Sequence, residues 1–199
     1  MLPIKLEEAP EGAYITKSKT VYKLKLLPNG EIEKCKARIV AKGFTQEYGI
    51  DYTENFPPTP QIGGKRFVII FILQHQLKRV SGDVTGAFLN AELKEKVYLK
   101  LPEGVPFQGS NIVQLPKSLY GMKQAGRNWN DLQDTIIRSY DPQLKRSQAE
   151  PCIYFEIIKD YTFITSVHVD DYIVGHNSES YKNRFLWTLQ KACWNPNIQ

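Results

Sequence analysis

The run Tyr161-Thr162-Phe163-Ile164-Thr165-Ser166-Val167-His168-Val169-Asp170-Asp171-Tyr172-Ile173-Val174-Gly175 consists of two apolar segments interrupted by a pair of acids. Tyr161 to Val169 and Tyr172 to Gly175 have the β-branched and aromatic composition of strands, and Asp170-Asp171 falls where a tight turn is expected. Two adjacent negative charges then sit at the rim of a buried sheet, a costly placement unless something cationic neutralises them. Aspartates are also ordinary turn residues. The run alone leaves both readings open.

Outward from this run, Cys152 to Ile158 reads as a further strand, and Glu179 to Cys193 as an amphipathic helix with Tyr181, Phe185, Leu189 and Ala192 on one face. Trp129, Leu132, Ile136 and Ile137 recur at helical spacing, which predicts a helix over Gln124 to Ser139. Further upstream, Lys65 to Gln76 reads as a buried helix, with a short strand ending near Asp83. Gly86-Ala87-Phe88 then leads into a polar helical stretch. Val97 to Leu101 and Gln114 to Leu119 read as strands around a Pro102 to Ser110 loop, and the Pro-rich segment Gly43 to Gly64 is a loop. Strands and helices alternate without βαβ regularity, so the expected class is α+β, a sheet with helices on one side.

With 199 residues, 42 % of them hydrophobic and 24 % charged, the chain suits one globular domain or two small packed ones. The longest apolar run, Phe67 to Leu73, falls far short of the ~18 residues of a bilayer span. Met1 to Ile15 has no signal-peptide core, so an intracellular, cytoplasmic protein is expected. Three cysteines, Cys35, Cys152 and Cys193, form no C-x-x-C pair and suggest neither disulfides nor structural zinc.

The net charge of +5 is unevenly placed: Lys17 to Gly43 holds eight basic residues against two acidic ones. Val21 to Leu27 and Glu31 to Ala41 form a predicted hairpin around Pro28-Asn29-Gly30, with the Asn-Gly pair supplying positive φ angles. Strand alternation puts Lys34, Lys36, Arg38 and, if the strand persists, Lys42 on one face, with Cys35, Ala37, Ile39 and Ala41 behind. Such a ribbon is either a solvated edge or a phosphate-contacting surface. Asp83, at a strand end before an apolar turn, is a third carboxylate in a setting like that of Asp170 and Asp171. If the strand ends adjoin, the three could hold two Mg2+ ions about 4 Å apart for phosphoryl transfer.

Four ordered blocks resemble the copia-type reverse transcriptases of long-terminal-repeat retrotransposons. Lys36-Ala37-Arg38-Ile39-Val40-Ala41-Lys42-Gly43-Phe44-Thr45-Gln46 with Gly49-Ile50-Asp51-Tyr52 is similar to the family's opening block. Asp83-Val84-Thr85-Gly86-Ala87-Phe88-Leu89-Asn90 resembles its first catalytic motif. Lys117-Ser118-Leu119-Tyr120-Gly121-Met122-Lys123-Gln124-Ala125-Gly126-Arg127-Asn128-Trp129 resembles its template and nucleotide motif, and Val169-Asp170-Asp171 completes the set. Ser147 to Tyr154 is similar to the family's S-x-A-D-P-C-x-Y segment, with Glu150 where Asp is usual.

The resemblance implies the fingers and palm of a right-hand polymerase with an antiparallel palm sheet. The fingers-like region would be 1–76 with 92–121, and the palm-like region 77–91 with 122–199. Asp83, Asp170 and Asp171 would hold two Mg2+ ions, or Mn2+, assisted by the Val84 carbonyl. The activity would be RNA-directed DNA synthesis on an RNA or DNA template with a primer. Lys36 and Arg38 would hold the deoxynucleoside triphosphate, Phe88 would exclude a 2′-hydroxyl, and Gln124 would lie against nucleotide and template. Trp129 reads as packing. In an active element the protein would belong to a virus-like particle.

Several positions depart from the family pattern. His168 stands where Tyr or Phe usually contacts the primer end, Gly63-Gly64 replace a hydroxyl helix cap, and Gly126 and Gly86 replace Pro and Thr or Ser; these look like drift. Only 28 residues follow Asp171, so the expectation is a polyprotein piece truncated before the thumb, with other domains in trans and poor or no polymerisation. Alternatives are a non-catalytic nucleic-acid-binding remnant using Lys34, Lys36, Arg38 and Lys42, a metallohydrolase using His168, Asp170, Asp171 and His176, and an inert chain that never folds stably.

Overall fold

The computed structural model describes residues 2–4, 14–105 and 111–193. Most of Met1 to Ile15, the far half of the Pro102 to Ser110 loop and the tail beyond Cys193 lie outside the described residues. The chain divides into two units, Met1–Asn55 with Ala91–Asn128, and Phe56–Asn90 with Trp129–Gln199. Compared with the expected regions, residues 56–76 group with the second unit, and 91 and 122–128 with the first.

In the first unit β1 (Leu2–Ile4), β6 (Ile112–Lys117), β5 (Glu92–Lys100), β2 (Ile15–Leu26) and β3 (Ile32–Ala41) form one sheet in that order. β2 and β3 pair antiparallel, whereas β2 and β5 are parallel. The predicted hairpin is present, but its turn differs: only Gly30 has positive φ, and its N–H donates to the Leu27 carbonyl at 2.9 Å. An Asn29-Gly30 two-residue turn would need the N–H of the preceding residue, which Pro28 lacks; Pro28 and Asn29 instead form the centre of an ordinary turn closed by a left-handed glycine. The polar stretch after Phe88 is not helical; it opens β5, where Leu93 and Glu95 are half-buried between exposed neighbours. That period of two overrides the helix propensity of Glu and Lys. Val97, Leu99, Val113 and Leu115 form the buried centre of this sheet.

In the second unit β4 (Lys78–Asp83), β10 (Asp171–His176), β9 (Thr162–His168), β8 (Ile153–Ile157) and β7 (Lys145–Arg146) make a wholly antiparallel sheet. Helices cover both faces, not one. Ile164 and Gly175 are register partners and meet Ile72 of α1 (Ile62–Gln74). On the opposite face Phe163 meets Phe185 of α3 (Glu179–Cys193) with ring centroids 5.0 Å apart, and Tyr172 accepts a hydrogen bond from Gln133 of α2 (Ala125–Tyr140). The expectation of a buried α1 is also corrected. Val68 and Ile72 are buried, but Phe67, Ile70 and Leu73 are more than half exposed.

α3 begins where expected, its Glu179 bonded to Lys78 at 2.9 Å and paired with Lys182. Those two lysines hold the Glu179 carboxyl down to about 2. Tyr181, Phe185, Leu189 and Cys193 are its buried stripe. Among the described residues no helix is long and apolar enough to cross a membrane.

Two measurements test this packing. A Cβ on Gly175 would overlap the Ile72 side chain, so Gly175→Ala should destabilise by about 1–3 kcal/mol, read as a lower urea midpoint. Burial lowers the folded-state pKa of His176 below 6.5. The unfolded chain therefore binds a proton below that pH which the folded chain resists, and stability falls as pH drops through 6.5 toward the folded pKa. His176→Gln should flatten the midpoint-against-pH curve in that window; an unchanged curve would contradict the burial account.

Candidate functional site

The three carboxylates meet through backbone register. Asp83 ends β4 and pairs directly with Asp171, the first residue of β10, which also pairs with His168, the last of β9. Register partners share a sheet face, so Asp83, Asp171 and His168 form a row across three strands. Asp170 joins from the turn, its carbonyl accepting the Val84 N–H at 2.8 Å. One ligand oxygen from each aspartate falls within 4.8 Å of the others.

The turn is Val169-Asp170, one residue earlier than expected, and Asp171 already belongs to the strand. Val169 has φ 59°, a left-handed conformation that is a genuine outlier for a β-branched residue. Its carbonyl accepts from Trp129 Nε1 at 2.6 Å and Gln133 Nε2 at 3.0 Å. Gln133 also donates to the Tyr172 hydroxyl at 2.6 Å. Two side chains of α2 thus hold a strained turn in place. Trp129 packs as expected and does more, since its indole N–H is a turn anchor; Gln133 escaped the sequence reading because a buried Gln carries no periodic signal.

Like charges this close repel. At 4.8 Å a pair of carboxylates costs about 1 kcal/mol in water and about 3–4 kcal/mol at an effective dielectric near 20. Asp83 and Asp171 are exposed and Asp170 half-buried, so the cost lies between these limits. An all-carboxylate oxygen set suits a hard divalent cation, whose ligands at ~2.1 Å lie up to about 4 Å apart. The residues present fit such an ion.

Asp83, Asp171 and His168 line a cleft of about 520 Å3 together with Ser81, Ser166 and Lys65 of α1. Lys65 Nζ lies 3.2 Å from His168 Nδ1. Lys65 was absent from the sequence-based candidates because nothing in the order of residues links it to a position 103 residues away.

Phe88 is half-buried in a 3-10 turn, Ala87–Asn90, led by Gly86 at φ 67°. The Leu89 N–H bonds to the Gly86 carbonyl at 2.8 Å. Gly86 is therefore used, since Thr or Ser there would be strained. Val84 is fully buried.

The remaining candidates lie in the first unit. Lys36 and Arg38 share a face of the β2–β3 ribbon with Lys23, Lys25 and Lys34, because Lys23 pairs with Lys36, Lys25 with Lys34 and Val21 with Arg38. Lys25 foremost, then burial, Lys34 and Arg38, lower the Lys36 pKa. Arg38 also lies over the Tyr120 ring, 5.7 Å from its centroid. The strand ends at Ala41, so Lys42 is outside it. Gln124, the residue expected to lie against nucleotide and template, is 1 % exposed; its Nε2 donates to the Asp51 carbonyl at 2.8 Å and its Oε1 accepts from Gln46 at 3.2 Å. One N–H and the oxygen of the amide thus brace the loop after β3. The histidine-based metal site is also absent. His168 and His176 lie near opposite ends of the β9–β10 pair, on opposite faces.

A family model described as reverse transcriptase (RNA-dependent DNA polymerase) matches residues 4–192. The chain is 35 % identical over 191 residues to the retrovirus-related Pol polyprotein from transposon TNT 1-94 of Nicotiana tabacum, covering 94 % of this chain and 14 % of that protein. It is 32 % identical over 192 residues to the retrovirus-related Pol polyprotein from transposon RE2 of Arabidopsis thaliana, covering 88 % and 13 %. A shorter match, 30 % over 112 residues, joins it to the transposon Ty1-NL2 Gag-Pol polyprotein of Saccharomyces cerevisiae. The chain spans about a seventh of the length of the first two relatives.

The turn anchor makes a direct prediction. Trp129→Phe should cost about 1–3 kcal/mol from the lost hydrogen bond and volume. The control Trp187→Phe, at a position 57 % exposed, should stay within about 0.5 kcal/mol. Equal unfolding midpoints for the two variants would show that the Val169 carbonyl needs no indole donor.

Proposed function

The chain belongs to the reverse transcriptase family found in copia-type retrotransposon Pol polyproteins, and from that premise we propose that it carries the nucleotidyl-transfer site of an RNA-directed DNA polymerase. The observation that carries this reading is the convergence of Asp83, Asp170 and Asp171 within 4.8 Å at one corner of an antiparallel sheet. In this reading the second unit is the palm and the first the fingers.

When bound, two Mg2+ or Mn2+ ions would supply activation of the primer 3′-hydroxyl and stabilisation of the leaving oxygen in an in-line displacement at the α-phosphate. Asp83, Asp170 and Asp171 would hold them, with the Val84 carbonyl as a further oxygen. The Val169 turn, anchored by Trp129 and Gln133, keeps Asp170 and Asp171 at hand without reorganisation. Phe88, held in its 3-10 turn, rejects a 2′-hydroxyl and so selects deoxynucleotides. Lys36 and Arg38 bind the triphosphate, and its charge relieves the repulsion among the ribbon lysines. Partners are a primed RNA or DNA template and the other polyprotein domains.

Isothermal titration of a primer-template and matched deoxynucleotide into the 199-residue chain, with Mg2+ and with EDTA, tests the reading through binding rather than turnover. Nucleotide binding should need Mg2+ and fall at least about tenfold in Asp83→Asn and Asp170→Asn, the loss of about 1.4 kcal/mol or more expected for a metal ligand. Salt-sensitive oligonucleotide binding indifferent to metal and to both substitutions would instead assign the chain to nucleic-acid binding by the Lys34, Lys36 and Arg38 face alone.

A further inference from the structure

We propose that Lys65 is a phosphate-binding residue of the carboxylate cleft. Lys65 stands in the first turn of α1 and is half-buried in the cleft that Asp83 and Asp171 also line. Its ammonium lies 3.2 Å from His168 Nδ1. An ammonium has three donors and no acceptor, so Nδ1 accepts one N–H and two remain for another group. Among the described residues Lys65 pairs with no carboxylate, although Asp83 and Asp171 line the same cleft. His168 thus holds the ammonium at the β9 end of the row, next to Asp171 and two strands from Asp83.

The row of side chains sets the spacing. Strands lie ~4.8 Å apart, so His168 is one strand from Asp171 and two from Asp83. Lys65 adds a positive charge at the His168 end. Cation-loaded carboxylates at one end and an ammonium at the other suit an anion lying across the cleft. The Ser81 and Ser166 hydroxyls line the same face and add neutral donors. A nucleic-acid strand advances ~3.4 Å along its axis per nucleotide. A strand ending at the carboxylates therefore brings its nearest backbone phosphates to within one or two strand spacings, about 5–10 Å, which is the offset of the His168 end of the row. We take a strand phosphodiester as the phosphate bound, and the deoxynucleotide arm of the test detects a triphosphate in its place. The identity of that strand rests on the polymerase reading; the phosphate chemistry does not.

The test uses the full chain, a fluorescent primer-template in EDTA over a salt series, and titration of a matched deoxynucleotide with Mg2+. Lys65→Met should weaken primer-template binding roughly five- to tenfold at low salt and lower the salt slope by about 1. Lys65→Arg should restore most of both, and the deoxynucleotide affinity should not change. If the deoxynucleotide affinity falls instead, the phosphate contact stands with the triphosphate as its source. Unchanged affinity for both ligands in a Lys65→Met protein with a wild-type unfolding midpoint overturns the proposal, as does a folded wild type that binds neither. A wild type whose Mg2+-dependent nucleotide binding survives Asp83→Asn would sink the polymerase reading alone, since the EDTA arm needs no carboxylate.

Discussion

The register of three strands is the constraint from which the site follows, because it brings together charges that would otherwise separate. Asp83 opposite Asp171, and Asp171 opposite His168, are consequences of ladder hydrogen bonds between β4, β10 and β9, not of any attraction among the side chains. A slip of one residue would send Asp171 to the other face, against α3. The ladder resists that slip because Phe163, Tyr172 and Val174 are buried on one face and Ile164 on the other. Hydrophobic packing on both sides of the sheet thus holds the carboxylates against a repulsion of about 1 to 4 kcal/mol per pair. Alternation along β10 makes the same strand serve as core and as site.

The Val169 turn extends this logic. A two-residue turn with φ 59° at its first position is normally glycine territory, and a left-handed valine costs about 1–2 kcal/mol. The Trp129 and Gln133 donors and the Val84 N–H on Asp170 offset that cost with three hydrogen bonds. The sheet's last turn is therefore shaped from outside the sheet, by α2 and by the segment after β4.

What was legible in the sequence followed local chemistry. The strands flanking Asp170-Asp171, the β2–β3 hairpin, α2 and α3 all carry strong periodicity or turn signals, and the structure has them within one or two residues of expectation, except that β2 starts at Ile15, six residues before the expected Val21. The carboxylate triad came from motif resemblance, since nothing in spacing brings Asp83 to Asp170. The misses were tertiary. An all-round apolar helix such as α1 predicts burial, yet Phe67, Ile70 and Leu73 are exposed, because hydrophobicity records what a helix can cover and not what is present to cover it. Glu92 to Lys96 looked helical by propensity but lie in β5, drawn in by the pairing of Glu92 with Lys117 and of Val97 with Leu115 on either side. Gln124 is singled out by motif position, whereas its burial and its bonds to Asp51 and Gln46, more than 70 residues away in sequence, are tertiary facts that position does not encode.

Departures from the family pattern read singly as drift, but two of them meet a neighbour in the fold. Gly64 stands where a side chain would overlap Glu150, and the Glu150 carboxylate accepts the Gln61 N–H at 3.0 Å, just before α1. The hydroxyl cap expected near Gly63-Gly64 is thus replaced by an acid 89 residues away in sequence, and its longer side chain occupies the space the glycine leaves. His168 is bonded likewise to Lys65, four residues into the same helix. The first turn of α1 is where both contacts land, so this helix is fastened to the sheet by polar contacts on one side while Val68 and Ile72 pack below. A substitution at either position therefore acts on α1 as a whole: loosening the Glu150 cap frees the turn that carries Lys65, and with it the charge at the end of the cleft.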